Sequence, residues 1–194
     1  MREVIVSEFL TLDGVMQAPG LPDEDRSGGF EHGGWQVSLM DDEAGTLVTE
    51  GLKATGALLL GRVTYEIFAG FWPTAPADDP IAQTINGLPK YVASTTLEEP
   101  LPWANSHVIR DVAQQVARLK EEDGGGIRVI GSGALVQTLM EHDLVDRYEL
   151  LIYGIVLGTG KRLFREGSPR TSLRLVESRA SKSGVLMLTY EPST

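Results

Sequence analysis

Two stretches constrain this chain more than any others. In "GALLLG" followed by "RVTYEIFAGF", residues 56–71, an apolar run bounded by glycines passes directly into an amphipathic segment of helical period. The same grammar returns in "IRVIG", residues 127–131, followed after Ser132 and Gly133 by "ALVQTLMEH", which sets Leu135, Val136, Leu139 and Met140 on one side. A short apolar run between glycines suits a strand buried on both faces, and a 3.6-residue period suits a helix packed on one face. A buried strand that feeds a helix and is followed by another buried strand requires a parallel crossover. The middle of the chain is therefore α/β.

The remaining segments extend this pattern. "EVIVSEFL" reads as the first strand, residues 36–53 as a helix, and "PKYVAST", residues 89–95, as a strand. "DVAQQVARLKEED" places Val112, Val116 and Leu119 on one helical face, and Gly124–Gly126 stops it. "RYELLIYGIVLG", residues 147–158, reads as a long strand, and the tail from residue 173 as two antiparallel strands joined around "SKSG". Two loops stand out. Residues 11–35 are long and rich in Gly and Asp, and "WPTAPADDP" carries three prolines. A loop of such length inside a compact domain is usually functional or disordered. With 194 residues and no linker or internal repeat, a single domain is expected.

Composition excludes several functions. A formal net charge of −10 repels polyanions, so no nucleic-acid partner is expected. The absence of cysteine removes disulfides, thiolate nucleophiles and Cys-ligated zinc. His32, His107 and His142 lie far apart, and no metal site is expected. No apolar stretch approaches the ~20 residues of a membrane span. The first residues mix Arg2, Glu3 and Glu8 with a short apolar run, unlike a signal peptide, so a cytoplasmic location is expected.

A Gly-rich turn that opens a helix can hold an anion, because its backbone approaches closely and the first helical amides are free. The common fingerprints fail here. G-x-G-x-x-G would need a glycine where Val136 stands, no G-x-x-x-x-G-K-[ST] is present, and no G-x-S-x-G elbow exists. By itself the turn at Gly131 and Gly133 is equally well a tight strand-to-helix connection. Two further strand ends add to it. Arg62 and Thr64 begin the helix after Gly61, and Ser94 and Thr95 follow the strand at 89–95. Arg and hydroxyl side chains are phosphate donors. Three donor-bearing strand ends suggest one extended ligand with several phosphates, lying across the carboxyl edge of the sheet.

"TLDGV", "LLLGRVTYE", "PKYVASTT", "IRVIGSGALVQTL" and "LVDRYELLIYGIVLGTGKRLF", in this order along nearly the whole chain, resemble the dihydrofolate reductase-like superfamily. The branch they resemble is that of the reductase domain of the riboflavin-pathway deaminase-reductase. The resemblance implies a three-layer α/β/α fold around a mixed, mostly parallel sheet with a C-terminal antiparallel hairpin, and NADPH as cofactor. It implies that Gly61, Arg62 and Thr64 grip phosphates. It further implies that Ser94 and Thr95 approach the adenosine 2′-phosphate, and that Gly131, Ser132, Gly133 and Ala134 hold the pyrophosphate. It also implies a homodimer.

With hydride supplied by a nicotinamide, the protein must align an acceptor and support protonation. Asp13 is the first candidate for that role, against an Asx-turn with Gly14, and Asp41 the second, against a solvated helix acid. Trp35, Phe71, Trp72 and Tyr153 are the candidates for lining a flat-ring substrate pocket. Residues 14–34 would form a lid. The resulting expectation is an NADPH-dependent reductase of a small heterocyclic or carbonyl substrate. A non-catalytic NADP(H)- or nucleotide-binding protein is the alternative, and a dimer scaffold without a ligand a third possibility.

Overall fold

A computed structural model describes residues 1–193. Its strands are β1 Val4–Thr11, β2 Thr55–Gly61, β3 Lys90–Ala93, β4 Ser106–Ile109, β5 Gly126–Ile130, β6 Arg147–Tyr153, β7 Leu173–Ala180 and β8 Leu186–Pro192. Its α-helices are α1 Asp42–Lys53, α2 Arg62–Phe71, α3 Pro80–Gly87, α4 Val112–Glu121 and α5 Gly133–Glu141. The strands form one sheet in the order β4-β3-β2-β5-β1-β6-β8-β7. The first six in chain order pair in parallel, and β8 runs antiparallel to both β6 and β7.

Alternation along the strands sorts side chains to two faces. Val4, Val6, Leu10 and Leu59 join Val116, Leu119, Leu135 and Leu139 of α4 and α5 in one core. Leu58 and Leu60 join Leu52 of α1, Tyr65 of α2 and Ile85 of α3 in another. This is the three-layer α/β/α arrangement expected from the sequence, with the mixed sheet and the C-terminal hairpin.

The differences lie where local signals are weak. The segment expected to be helical from residue 36 turns irregularly until Asp41, whose side chain caps α1 by accepting from the Ala44 amide at 2.9 Å. Helix α3 grows out of the proline-rich loop. Pro80 takes its first position and Asp79 accepts from Ile81 and Ala82, a start signal present in "DDPIAQ". Strand β4 has only four residues at the sheet edge, too few to show a period. Strand β6 stops at Tyr153, and residues 154–158 leave the sheet to meet the end of β1.

Candidate active site at the carboxyl edge of the sheet

One large cavity, about 1300 Å³, runs along the carboxyl ends of β3, β2, β5 and β1. Typical small-ligand pockets hold roughly 300–1,000 Å³, so this one has room for a dinucleotide and a small partner. It is the place where open α/β sheets bind ligands.

Helix capping marks the anion side. Asp41, Asp79 and Asp111 cap α1, α3 and α4. Helices α2 and α5 start at the cavity and have no side-chain cap, so their first amides stay open. The reason at α5 is visible. Ser132 has a left-handed backbone (φ 64°), and its Oγ accepts from the Gly61 amide at 2.9 Å and donates to the Ile130 carbonyl at 3.1 Å. That side chain ties the β5–α5 turn to the β2–α2 turn. Gly131 is also left-handed (φ 58°), and an added Cβ would lie 3.0 Å from Thr64 Oγ1. Gly133, by contrast, does not have a positive φ. It sits inside the first turn of α5, where a Cβ would meet only the flexible Met16 sulfur at 2.9 Å.

All the residues expected to bind phosphate line the cavity: Gly61, Arg62 and Thr64, Ser94 and Thr95, and Gly131 to Ala134. Arg62 pairs with Glu66 at 2.8 Å on the half-exposed face of α2. Arg110 was not anticipated. It follows the four-residue β4, lines the cavity and donates to the Ser94 and Leu97 carbonyls, which sets a cation against the 94–97 turn. Nothing local in "VIRD" marks it, because its neighbours are 13 and 16 residues away.

The other half of the cavity is apolar. Val48 and Leu52 of α1, Ile67 and Phe68 of α2, and Ile81 and Ile85 of α3 line it, with Phe71 and Trp72 stacked edge to face at 5.0 Å. Arg128 reaches this wall, where its guanidinium is paired with Glu149 at 2.6 Å and donates to Thr55 at 2.9 Å and the Gly51 carbonyl at 3.1 Å.

Four expected site residues lie elsewhere. Asp13 is the clasp between β1 and the 154–162 loop. Its carboxylate accepts from Thr11 Oγ1 at 2.6 Å, the Leu157 and Gly158 amides at 3.2 and 2.9 Å, and Arg162 at 3.3 Å. The Thr11 hydroxyl above all, with those amides, holds it well below the usual carboxylate range, unsuited to giving up a proton. Asp41 is the α1 cap and also accepts from the Ser183 amide at 3.1 Å. The Ala44 amide first, then Ser181 and Ser183, hold it low as well. Neither carboxylate lines the cavity. Tyr153 is fully buried, bonds Gln36 at 3.0 Å, and stacks edge to face on Phe9 and Trp35. Trp35 donates to the Gln17 carbonyl at 2.8 Å. These two rings back Phe9, which does line the cavity, and do not themselves reach it.

The long loop is a wall stapled to the body. Buried Gln17 donates to the Asp25 and Ser27 carbonyls and accepts from the Lys161 amide, and Lys161 pairs with Asp25 at 2.6 Å. Met16 to Leu21 face the cavity from it. Among the described residues there is no cluster of His, Asp or Glu fit to hold a metal ion, and no helix is long and apolar enough to cross a membrane.

These placements make a first prediction. Asp13→Asn should lower the melting midpoint and spare ligand binding, because Asn cannot accept four hydrogen bonds. A loss of about 2 kcal/mol corresponds to roughly 4–8 °C for a chain of this size. A depressed folded pKa gives stability that is full above the unfolded carboxylate pKa of about 4 and lost as pH falls below it. The gap between parent and variant should therefore close in acid. Equal midpoints at pH 7 would remove the clasp role.

A three-layer α/β fold whose open helix starts face one cleft defines a class of α/β proteins that bind a ligand at the carboxyl edge of the sheet. The sequence match is specific: the family model described as RibD C-terminal domain covers residues 2–187, and the chain belongs to that family. YyaP of Bacillus subtilis is 27% identical over 192 residues, 97% of this chain and 94% of YyaP. A pyrimidine reductase-like protein from Corynebacterium diphtheriae superposes with a TM-score of 0.69 at 13% identity, covering 100% of this chain and 92% of that one. A diaminohydroxyphosphoribosylaminopyrimidine deaminase/5-amino-6-(5-phosphoribosylamino)uracil reductase from Thermotoga maritima superposes with a TM-score of 0.66 at 15% identity, covering 99% of this chain and 57% of that one. Family membership supports a reductase-type function for the chain.

Proposed function

We propose that the chain is an NADPH-dependent reductase of a small, uncharged heterocyclic or carbonyl compound. The observation that carries this is the pair of uncapped helix starts facing one cavity, with Arg62 and Arg110 beside them. The donor set fits a dinucleotide phosphate. Gly131 allows close backbone approach, the α2 and α5 amides and dipoles favour negative charge, and the arginines add charge-assisted donors. Bound NADPH supplies the hydride. The protein's own part is to seat the pyrophosphate on the two turns, to seat the acceptor against Phe71 and Trp72, and to exclude water with the stapled loop.

The apolar half supports an uncharged acceptor. Its cation, Arg128, is already neutralised by Glu149 and turned toward Thr55 and the Gly51 carbonyl, away from the role of a sugar-phosphate clamp. The reading is tested by melting the protein with NADPH, NADP⁺, NADH, ATP and FMN, checked by titration. NADPH at 100 times Kd stabilises by about 2.7 kcal/mol, which is roughly 5–11 °C. No binding of either NADP form by folded protein would falsify the proposal. NADP binding without NADPH oxidation across an acceptor panel would favour a non-catalytic nucleotide-binding protein.

Arg110 takes the 2′-phosphate in this reading, with Ser94 and Thr95. A charge-assisted bond is worth roughly 1.5–3 kcal/mol, or about 10- to 150-fold. Arg110→Ala should weaken NADPH by that factor and leave NADH within about twofold. Equal losses for both would place Arg110 outside the 2′-phosphate site. Pairing of two copies is proposed on the same reading, through β7, an edge strand that exposes Leu175 and Val176. Light scattering should show a dimer that Val176→Glu splits, and a monomeric parent would refute it.

A further inference from the structure

Glu8 differs from the other acids of the cavity. Glu24 accepts from the Gly20 and Leu21 amides, Asp25 pairs with Lys161, and Glu166 is exposed. Glu8 is 5% exposed, its Oε1 has no hydrogen-bond partner, and its carboxyl lies beside the backbone of Gly131. It occupies a position of β1 where alternation with Val4, Val6 and Leu10 would place an apolar residue. An unpaired buried polar atom costs stability, and a ligand that completes it removes that cost.

Sheet order says which ligand group meets it. The 94–97 turn follows β3, the Arg62 turn follows β2, the Gly131 turn follows β5, and Glu8 lies on β1, one strand further along the same edge. At about 4.8 Å per strand, a dinucleotide that enters at β3 and crosses its pyrophosphate over β2 and β5 reaches β1 with its second nucleoside.

We infer that Glu8 is a positioning residue that hydrogen-bonds through its unpartnered Oε1 to a polar group of the nicotinamide nucleoside. Burial raises the carboxyl's pKa and so favours its neutral form, against the opposing pull of the Gly131 backbone beside it. This inference rests on the dinucleotide reading above. It concerns a residue that no motif in the sequence marks.

The test compares NADPH with 2′,5′-ADP, which lacks the second nucleoside, by calorimetric titration of the parent, Glu8→Leu and Glu8→Gln. Glu8→Leu should weaken NADPH about tenfold and leave 2′,5′-ADP within about twofold. Its ligand-free melting midpoint should not fall, because the change removes an unpaired polar atom from an apolar face. Glu8→Gln keeps the shape and a donor, and should bind NADPH within about threefold of the parent. Unchanged NADPH affinity in Glu8→Leu, equal losses for both ligands, or a loss in Glu8→Gln as large as in Glu8→Leu would each overturn the assignment. A parent that binds no NADPH overturns the reductase reading and this inference with it, whereas a binding parent with an indifferent Glu8→Leu overturns only the role of Glu8.

Discussion

Gly131→Val is expected to abolish NADPH binding, by at least about 100-fold. Two effects act together. The left-handed backbone costs a non-glycine residue roughly 1–2 kcal/mol, and more when the side chain is β-branched. The new Cβ would stand 3.0 Å from Thr64 Oγ1 and 3.2 Å from its Cγ2, between the two turns that Ser132 ties together. The turns must part or twist, and the amides they present no longer converge. Losing two or more charge-assisted donors at about 1.5 kcal/mol or more each gives the stated factor. The strain is local, so the protein should still fold, with a midpoint lower by several degrees. Gly133→Ala is the contrast: its Cβ meets only the movable Met16 side chain, so the fold should be little changed. A folded Gly131→Val protein that binds NADPH like the parent would make the turn a mere connector.

The second large effect is on stability. Lys90 is fully buried at the start of β3, and its ammonium donates to the carbonyls of Asn86, Leu88 and Ala104 at 2.8–3.1 Å while lying 4.3 Å from the centre of the Trp103 ring. It satisfies the end of α3 and the turn before β4 at once. Lys90→Met keeps the aliphatic stem and removes every donor. Leaving three carbonyls unpaired should cost about 3–5 kcal/mol, or roughly 6–20 °C in midpoint. Burial pulls this amine down to about 8, below the unfolded value of about 10.4. Between those values the unfolded chain holds more protons, so the group's contribution to stability rises with pH. The parent should therefore gain on Lys90→Met from pH 8 to 10. A gap that is small and flat with pH would mean that water replaces the ammonium at these carbonyls.

Much of the fold was legible because its signals are local. Gly-bounded apolar runs, the helical faces of "ALVQTLMEH" and "DVAQQVARLK", and the hairpin around "SKSG" each depend on residues within a few positions of one another. The same locality explains the two uncapped turns that line the cavity, since strand, turn and helix start are adjacent in sequence at residues 61–64 and 131–134. It also explains the error at Asp41. The carboxylate stood at the right place for a cap, and the acid role assigned to it ignored the amides three residues on and 142 residues on. Helix α3 was readable in principle from Asp79 and Pro80, but the prolines around it carried the stronger loop signal.

The sequence by itself determined the α/β class and the parallel crossovers, because backbone propensity and side-chain period are properties of contiguous residues, while the three-layer arrangement was implied by the family resemblance. Only the tertiary structure decided what each acid does. Asp13 is spent on amides 144 and 145 residues away, Tyr153 is sealed behind Phe9, and Arg110 is brought to the 94–97 turn by pairing of β3 with β4. Glu8 becomes a buried carboxyl with an unpartnered oxygen because β1 lies between β5 and β6. Such roles depend on burial and on which distant donors arrive, and both are set by the packing of elements far apart in the chain.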